Sequence, residues 1–248
     1  MRKIACINYK GGAGKTTLVV NLADTLVRLH QQKVLIIDTD PQGSVGHLLG
    51  ITPKKTIYDV LIENEPVEAC IESARPGLDI LGANERLFPV EIAMSQIKKK
   101  EYVFLDRFST LSAYDYVFLD CAPSFNILNQ NALIYTNEVM IPVPMEYLGL
   151  YGLRQLLYNV DVIGRMLDKD IRVSYIVPTF YQQRRRKTKT IMESLNRVFP
   201  QKITNPIHLQ SAVSECSGFG QTLFEYAPFS VSNADFKRIA ESVYGRLV

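Results

Sequence analysis

The sequence predicts an α/β fold, a mostly parallel sheet with helices on both faces, and three observations carry that prediction. Short apolar runs suited to buried strands recur at residues 4–7, 33–38, 78–81, 116–120, 139–143 and 172–177. Segments with apolar residues at helical spacing fall between them, the alternation that builds a parallel sheet through right-handed crossovers. A length of 248 residues with 47% hydrophobic content is enough for one substantial core, so residues 1–248 are read as a single domain. No repeat, low-complexity tract or Pro/Gly/Ser linker divides the chain, and Pro53, Pro66, Pro76 and Pro89 punctuate short connections.

The first run, Ile4-Ala5-Cys6-Ile7, leads into Lys10-Gly11-Gly12-Ala13-Gly14-Lys15-Thr16-Thr17. Residues 16–30 follow with Val19, Leu22, Ala23, Leu26 and Leu29 at helical spacing. Strand, glycine-rich loop, helix is the context that a phosphate-cradling loop needs, so a P-loop NTPase fold is expected. The glycines let backbone N–H groups converge on phosphate oxygens, Lys15 reaches the β- and γ-phosphates, and the Thr16 hydroxyl holds magnesium. The phosphates would sit at the positive end of the helix dipole. The loop has the tight form K-G-G-x-G-K-T-T, and Lys10 is a lysine beyond the general pattern.

The second run ends in Asp38-Thr39-Asp40-Pro41-Gln42-Gly43. Ionised carboxylates at a strand end are costly to bury without partners, and magnesium or a water to be activated would be such a partner. The run Tyr116-Val117-Phe118-Leu119 likewise ends in Asp120, an aspartate of the kind that holds magnesium through water in a P-loop site. Ligands of parallel sheets bind outside the carboxyl ends of the strands. Asp38, Asp40, Asp120 and the segment Pro178, Thr179, Phe180 should therefore gather around the loop. The last helical pattern, residues 233–247, aligns Phe236, Ile239, Ala240, Val243, Tyr244 and Leu247. Its polar face mixes Lys237, Arg238 and Arg246 with Asp235 and Glu241, which favours a helix docked on the sheet over one lying on a membrane.

A net charge of +3 is too small to demand a nucleic-acid partner, so its distribution matters more. Arg184, Arg185, Arg186, Lys187, Lys189 and Arg197 face a single acid, Glu193, between residues 181 and 197. The run Lys98-Lys99-Lys100 precedes Glu101 and Asp106 and reads as a solvated helix face. Cys6, Cys70, Cys121 and Cys216 are scattered, without a C-x-x-C pair, and read as reduced, buried thiols of a cytosolic protein. His30, His47 and His208 match no metal spacing and receive no role. No apolar run approaches the length needed to cross a bilayer.

With these motifs the chain resembles, over nearly its whole length, the ParA/Soj branch of deviant Walker ATPases, the group that includes MinD and the nitrogenase iron protein. The stretch Pro142-Val143-Pro144-Met145-Glu146-Tyr147-Leu148-Gly149-Leu150-Tyr151-Gly152-Leu153 is similar to the family's P-V-x-x-E-Y-x-x-L-x-G-L, Val177-Pro178-Thr179-Phe180 to its P-T segment, and Ser214-Glu215-Cys216-Ser217 to its S-E-A-P-S. The resemblance implies ATP and Mg2+ as ligands and a sandwich homodimer formed with ATP, in which Lys10 of each subunit reaches the phosphates held by the other. It implies that Gly11, Gly12, Ala13, Gly14, Lys15, Thr16 and Thr17 form the phosphate loop and that Thr16, Asp40 and Asp120 serve the metal. Asp40 would orient or activate the attacking water, with Asp38 as a helper, and Pro178, Thr179 and Phe180 would lie by the adenine.

The family also places DNA-contacting cations in the helix after the P-T segment, which implies that Arg184, Arg185, Arg186, Lys187 and Lys189 bind double-stranded DNA without sequence preference. The expected role is a slow ATPase, cytoplasmic and nucleoid-associated, that partitions a plasmid, chromosome or other cargo. A ParB-like centromere binder or cargo adaptor would stimulate its hydrolysis. Two departures qualify this: Ala212 stands where the family has an arginine before S-E-A-P-S, and D-x-P-P becomes Asp120-Cys121-Ala122-Pro123. The first strand begins too early to leave room for an N-terminal helix-turn-helix, so autorepression is not expected. A membrane-associated positioning ATPase of the MinD kind is the alternative. It calls for a C-terminal amphipathic tail beyond the core, which the sequence lacks, so no membrane partner is expected. A metal-cluster protein of the iron-protein type would need paired surface cysteines.

Overall fold

Each apolar run becomes a strand of one seven-stranded sheet in the computed structural model, which describes residues 1–245. The strands are β1 (Arg2–Cys6), β2 (Val34–Asp38), β3 (Glu72–Arg75), β4 (Leu78–Leu81), β5 (Tyr116–Asp120), β6 (Glu138–Pro144) and β7 (Arg172–Thr179), in the order β3-β4-β2-β5-β1-β6-β7. Every neighbouring pair is parallel except β3 with β4. The helices are α1 (Lys15–His30), α2 (Ser44–Leu49), α3 (Ile57–Leu61), α4 (Val90–Met94), α5 (Val103–Arg107), α6 (Ile127–Tyr135), α7 (Tyr147–Leu167), α8 (Arg186–Val198), α9 (Ser211–Gly218), α10 (Leu223–Tyr226) and α11 (Val231–Tyr244).

The strands read as continuous apolar runs because both sheet faces are covered. Ile4, Cys6, Val34, Ile36 and Phe118 point into one core with Leu22 and Leu26 of α1 and Phe236 and Ile239 of α11. Ala5, Leu35, Ile37, Val117 and Leu119 point into the other, with Phe104, Ala132, Leu156 and Leu195 from helices on that side. Most of the apolar face of α11 is thus spent on α1 and the sheet, with Phe236, Ile239, Ala240 and Val243 almost fully buried, whereas Tyr244, aligned with them above, is exposed and stacks on His30. Arg246 and Leu247, assigned above to this helix, lie outside the described residues.

Register decides what the sheet presents at its carboxyl edge. Cys6 pairs with Asp120 and Asp38 also pairs with Asp120, so both carboxylates stand level with the point where the chain leaves β1 for the glycine loop. Two features depart from the sequence reading. β3 is an additional strand, an antiparallel edge joined to β4 through Gly77 at φ 83°, and its Glu-Ser-Ala-Arg sequence has no apolar run to reveal it. Lys98, Lys99 and Lys100 are solvent-exposed, as a solvated face requires, but Lys98 and Lys99 occupy a turn, with Lys99 at φ 56°, after α4 has ended at Met94, and only Lys100 is helical, opening a single 3-10 turn, Lys100–Tyr102.

Candidate functional site

The glycine loop is shaped by backbone demands that only glycine meets cheaply. Gly12 (φ 69°) and Gly14 (φ 90°) are left-handed, and α1 starts directly from Gly14, whose carbonyl accepts from the Leu18 N–H at 2.9 Å. Lys15 is buried, and its Nζ donates to the Asn8 carbonyl at 3.0 Å. Asn8 also ties the loop to β6: its side-chain amide donates to the Pro142 carbonyl (2.7 Å) and its Oδ1 accepts from the Lys10 N–H (2.8 Å). From the other side, the Thr179 hydroxyl donates to the Ala13 carbonyl at 3.0 Å.

Thr16 and Asp120 meet, the Thr16 hydroxyl donating to Asp120 Oδ2 at 2.6 Å. Asp120 Oδ1 is buried with no hydrogen-bond partner. Burial, together with the negative charge of Asp40, pushes the Asp120 carboxyl up to about 7, against the restraint of Thr16 and Lys15. An orphaned carboxylate oxygen beside a threonine hydroxyl and a lysine fits a divalent cation that completes its shell with water and phosphate. Among the described residues no group of three or more His, Cys, Asp or Glu side chains could hold a metal by itself.

Asp38 and Asp40 are brought to the same place but are built differently. Asp38 is fully buried, its Oδ1 accepting from the Asp40 N–H (2.9 Å) and its Oδ2 from the Val45 N–H (3.0 Å). Burial and the neighbouring Asp120 raise its carboxyl well above the usual range. With both oxygens committed to backbone, Asp38 holds the shape of the loop that carries Asp40. Asp40 is half-exposed, with Oδ1 accepting from the Gln42 N–H at 3.0 Å. Gly43 pins the far end of this loop: at φ 62°, a Cβ there would fall 2.6 Å from the Ala83 carbonyl oxygen.

Beside the start of α1 lies a slot of about 150 Å³ lined by Gly14, Thr17, Leu18, Thr179, Phe180 and His208, among others. Of the three residues expected by a base, Thr179 and Phe180 line it, whereas Pro178 is buried within β7, paired with Val143. His208, which the sequence reading left without a role, belongs to this slot, and its Nδ1 lies 2.7 Å from the fully buried Asp235 Oδ2. An isolated histidine some 190 residues after the glycine loop gives no local signal of this; only the return of the chain alongside β7, where Ile207 N–H donates to the Pro178 carbonyl, puts it there. Asn8 also takes part in the site without having been singled out, whereas Glu146, quoted above only as part of the stretch 142–153, lies outside the loop and meets it through Lys10. Lys10 Nζ pairs with Glu146 Oε2 at 2.8 Å within the subunit.

The basic segment is divided by the fold. Arg184 and Arg185 precede α8, while Arg186, Lys187 and Lys189 lie in its first turns. Arg184, Arg185, Arg186 and Lys189 are exposed and Lys187 is half-buried. Arg185 and Lys187 line a cavity of about 370 Å³ together with Gly12 of the loop and Glu146. Ala212, in α9, packs as a partly buried residue against the core.

An AAA-domain family model matches residues 1–173. The chain is 32% identical over 254 residues to the chromosome partitioning protein ParA of Caulobacter vibrioides, covering 99% of this chain and 95% of that protein. It is 32% identical over 256 residues to the chromosome-partitioning ATPase Soj of Thermus thermophilus, covering 100% and 97%. Among solved structures, a plasmid partition protein from Borrelia burgdorferi bound to AMPPNP superimposes with a TM-score of 0.85 at 24% identity, covering 99% of each chain.

Proposed function

The chain belongs to the ParA/Soj family of ATPases, and from that premise we propose that it binds Mg-ATP, dimerises with it, and partitions a DNA molecule or other cargo over nonspecific DNA. The observation that carries the reading is the level strand ends. They set the Thr16 hydroxyl on Asp120 at 2.6 Å, leave Asp120 Oδ1 unpartnered, and hold the Asp40 loop beside them. In this reading the loop N–H groups and Lys15 hold the phosphates, and Thr16 and Asp120 hold Mg2+. A magnesium ion held by them would neutralise developing phosphate charge. Asp40, freed from burial, orients the attacking water, and Asp38 acts on it only through the backbone. Thr179, Phe180 and His208 enclose the base. Lys10 crosses to the partner's phosphates, which makes the dimer depend on ATP and the hydrolysis slow until a ParB-like protein or cargo adaptor stimulates it.

Metal binding needs Asp120 as a carboxylate, so protons compete with Mg2+ below the range near pH 7 to which that group is raised. Mg-ATP affinity should fall as pH drops, by about tenfold per unit once Asp120 is mostly protonated. Titration calorimetry at pH 6 and pH 8 checks this, and equal affinities at the two would remove Asp120 from the metal.

Nonspecific DNA is supported by electrostatics. Cations at a helix N-terminus oppose the dipole, and α8 begins amid Arg184, Arg185, Arg186, Lys187 and Lys189; a phosphate backbone resolves that conflict. Two copies in a dimer make weak contacts multivalent, so only the ATP-bound dimer should bind well. An Arg185→Ala/Arg186→Ala variant that still hydrolyses ATP and dimerises should bind duplex DNA more weakly, with a salt slope reduced by about one for each contacting charge removed. Filter binding over a salt series measures both; unchanged affinity would move the DNA site elsewhere.

The membrane-positioning alternative is less well supported. Phe236, Ile239, Ala240 and Val243 of α11 are buried, and no helix among the described residues is long and apolar enough to cross a membrane. The cluster-protein alternative fares no better, since Cys6, Cys70, Cys121 and Cys216 are all buried.

A further inference from the structure

Lys10 and Glu146 are joined by more than their 2.8 Å ion pair. The Lys10 N–H is held by Asn8, and the Asn8 amide is held by the Pro142 carbonyl, so the loop bearing Lys10 is fastened to β6, the strand that runs into Glu146. Glu146 itself is fixed at the entry to α7. Its N–H donates to the Pro144 carbonyl at 2.7 Å, and Met145 N–H donates to the Thr179 carbonyl at 3.0 Å. Gly149 packs so closely on this turn that a Cβ there would lie 2.5 Å from the Pro144 oxygen. The two charged ends are nonetheless open, the lysine side chain 37% and the carboxylate side chain 47% exposed, so the pair is preorganised but weak. A second cation waits behind it: Lys187, which shares the cavity above Gly12 with Glu146. Lys10 foremost, and Lys187 as well, hold the Glu146 carboxyl below its ordinary range.

We propose that Glu146 is the resting-state counter-ion of Lys10: it holds the lysine inside its own subunit, and the dimer forms only when the partner's ATP outbids this carboxylate. The inference rests on the cross-subunit role of Lys10 proposed above. Glu146 is a positioning residue that acts through Lys10 and touches no phosphate. Losing it therefore leaves nucleotide binding by the monomer unchanged and shifts the dimer equilibrium. An exposed pair of this kind amounts to at most about a fivefold factor per subunit. Two are broken per dimer, so the dimerisation constant rises by up to about 25-fold when both are removed.

The test uses Glu146→Gln on an Asp40→Ala background, with dimer followed by light scattering against ATP concentration and monomer affinity followed with a fluorescent ATP analogue. The expected result is dimer at several-fold lower ATP, an unchanged monomer affinity and unfolding temperature, and a gap from the parent that narrows as salt screens the pair. Glu146→Asp, which keeps the charge, should restore the parent's ATP threshold at least in part. A threshold unchanged or raised in Glu146→Gln, while Lys10→Ala abolishes the dimer, overturns this inference alone. A Lys10→Ala protein that dimerises normally overturns the reading on which it rests.

Discussion

Lys15→Ala is expected to lose nearly all ATP binding. Lys15 is the buried cation of the site, 7% exposed, and its charge restrains the pKa of Asp120. Its removal takes away a charge-assisted contact to the phosphates and leaves Asp120 without the positive charge that restrains its carboxyl, so the incoming polyphosphate meets a less compensated carboxylate. Breaking a buried charge pair from one side costs about 3–5 kcal/mol, or roughly two to three and a half decades in affinity. Calorimetry with Mg-ATP measures it directly. Affinity within about threefold of the parent would mean that the loop does not hold phosphate through this lysine.

Asp40→Ala should do the opposite to binding while stopping turnover. The Asp40 side chain makes one hydrogen bond within the loop, Oδ1 accepting from the Gln42 N–H, and the frame is kept by Asp38, Gly43 and the Asp40 backbone, which alanine retains. Its negative charge raises the carboxyls of both Asp38 and Asp120, so removing it eases repulsion at the metal site and should leave Mg-ATP affinity equal or tighter. Loss of a water-orienting carboxylate lowers hydrolysis by about 10²- to 10⁴-fold. Phosphate release at saturating ATP checks the rate; a variant that hydrolyses at the parent's rate would hand the role to another group.

The parts of this site that were legible from sequence are those in which one short segment carries both the chemistry and its context. Asp38 and Asp120 end apolar runs, Asp40 follows two residues after Asp38, and Lys15 and Thr16 close the glycine loop that leaves β1; a parallel sheet must bring such strand ends together once the register is level. What stayed hidden depends on long-range closure. His208 reaches the slot because the chain returns beside β7, and Glu146 meets Lys10 because β6 lies next to β1; neither residue has a local pattern that says so. β3 escaped because an edge strand buries little and can be written in polar residues. The lysines at 98–100 were misread for a related reason. A basic run followed by Glu101 and Asp106 reads as one solvated helix face, but α4 stops after Met94 and a left-handed Lys99 turns the chain, leaving only Lys100 in a single 3-10 turn.

The claim on which the rest depends is that ATP, through Lys10, joins two copies of this chain. Multi-angle light scattering of the Asp40→Ala protein tests it most directly, with Mg-ATP, with Mg-ADP and with Lys10→Ala added. The account predicts a rise from 28.1 kDa to about twice that value with Mg-ATP only, and its disappearance when Lys10 is removed although ATP is still bound. A mass that stays at one subunit in saturating Mg-ATP, or a dimer indifferent to both nucleotide and Lys10, would contradict it.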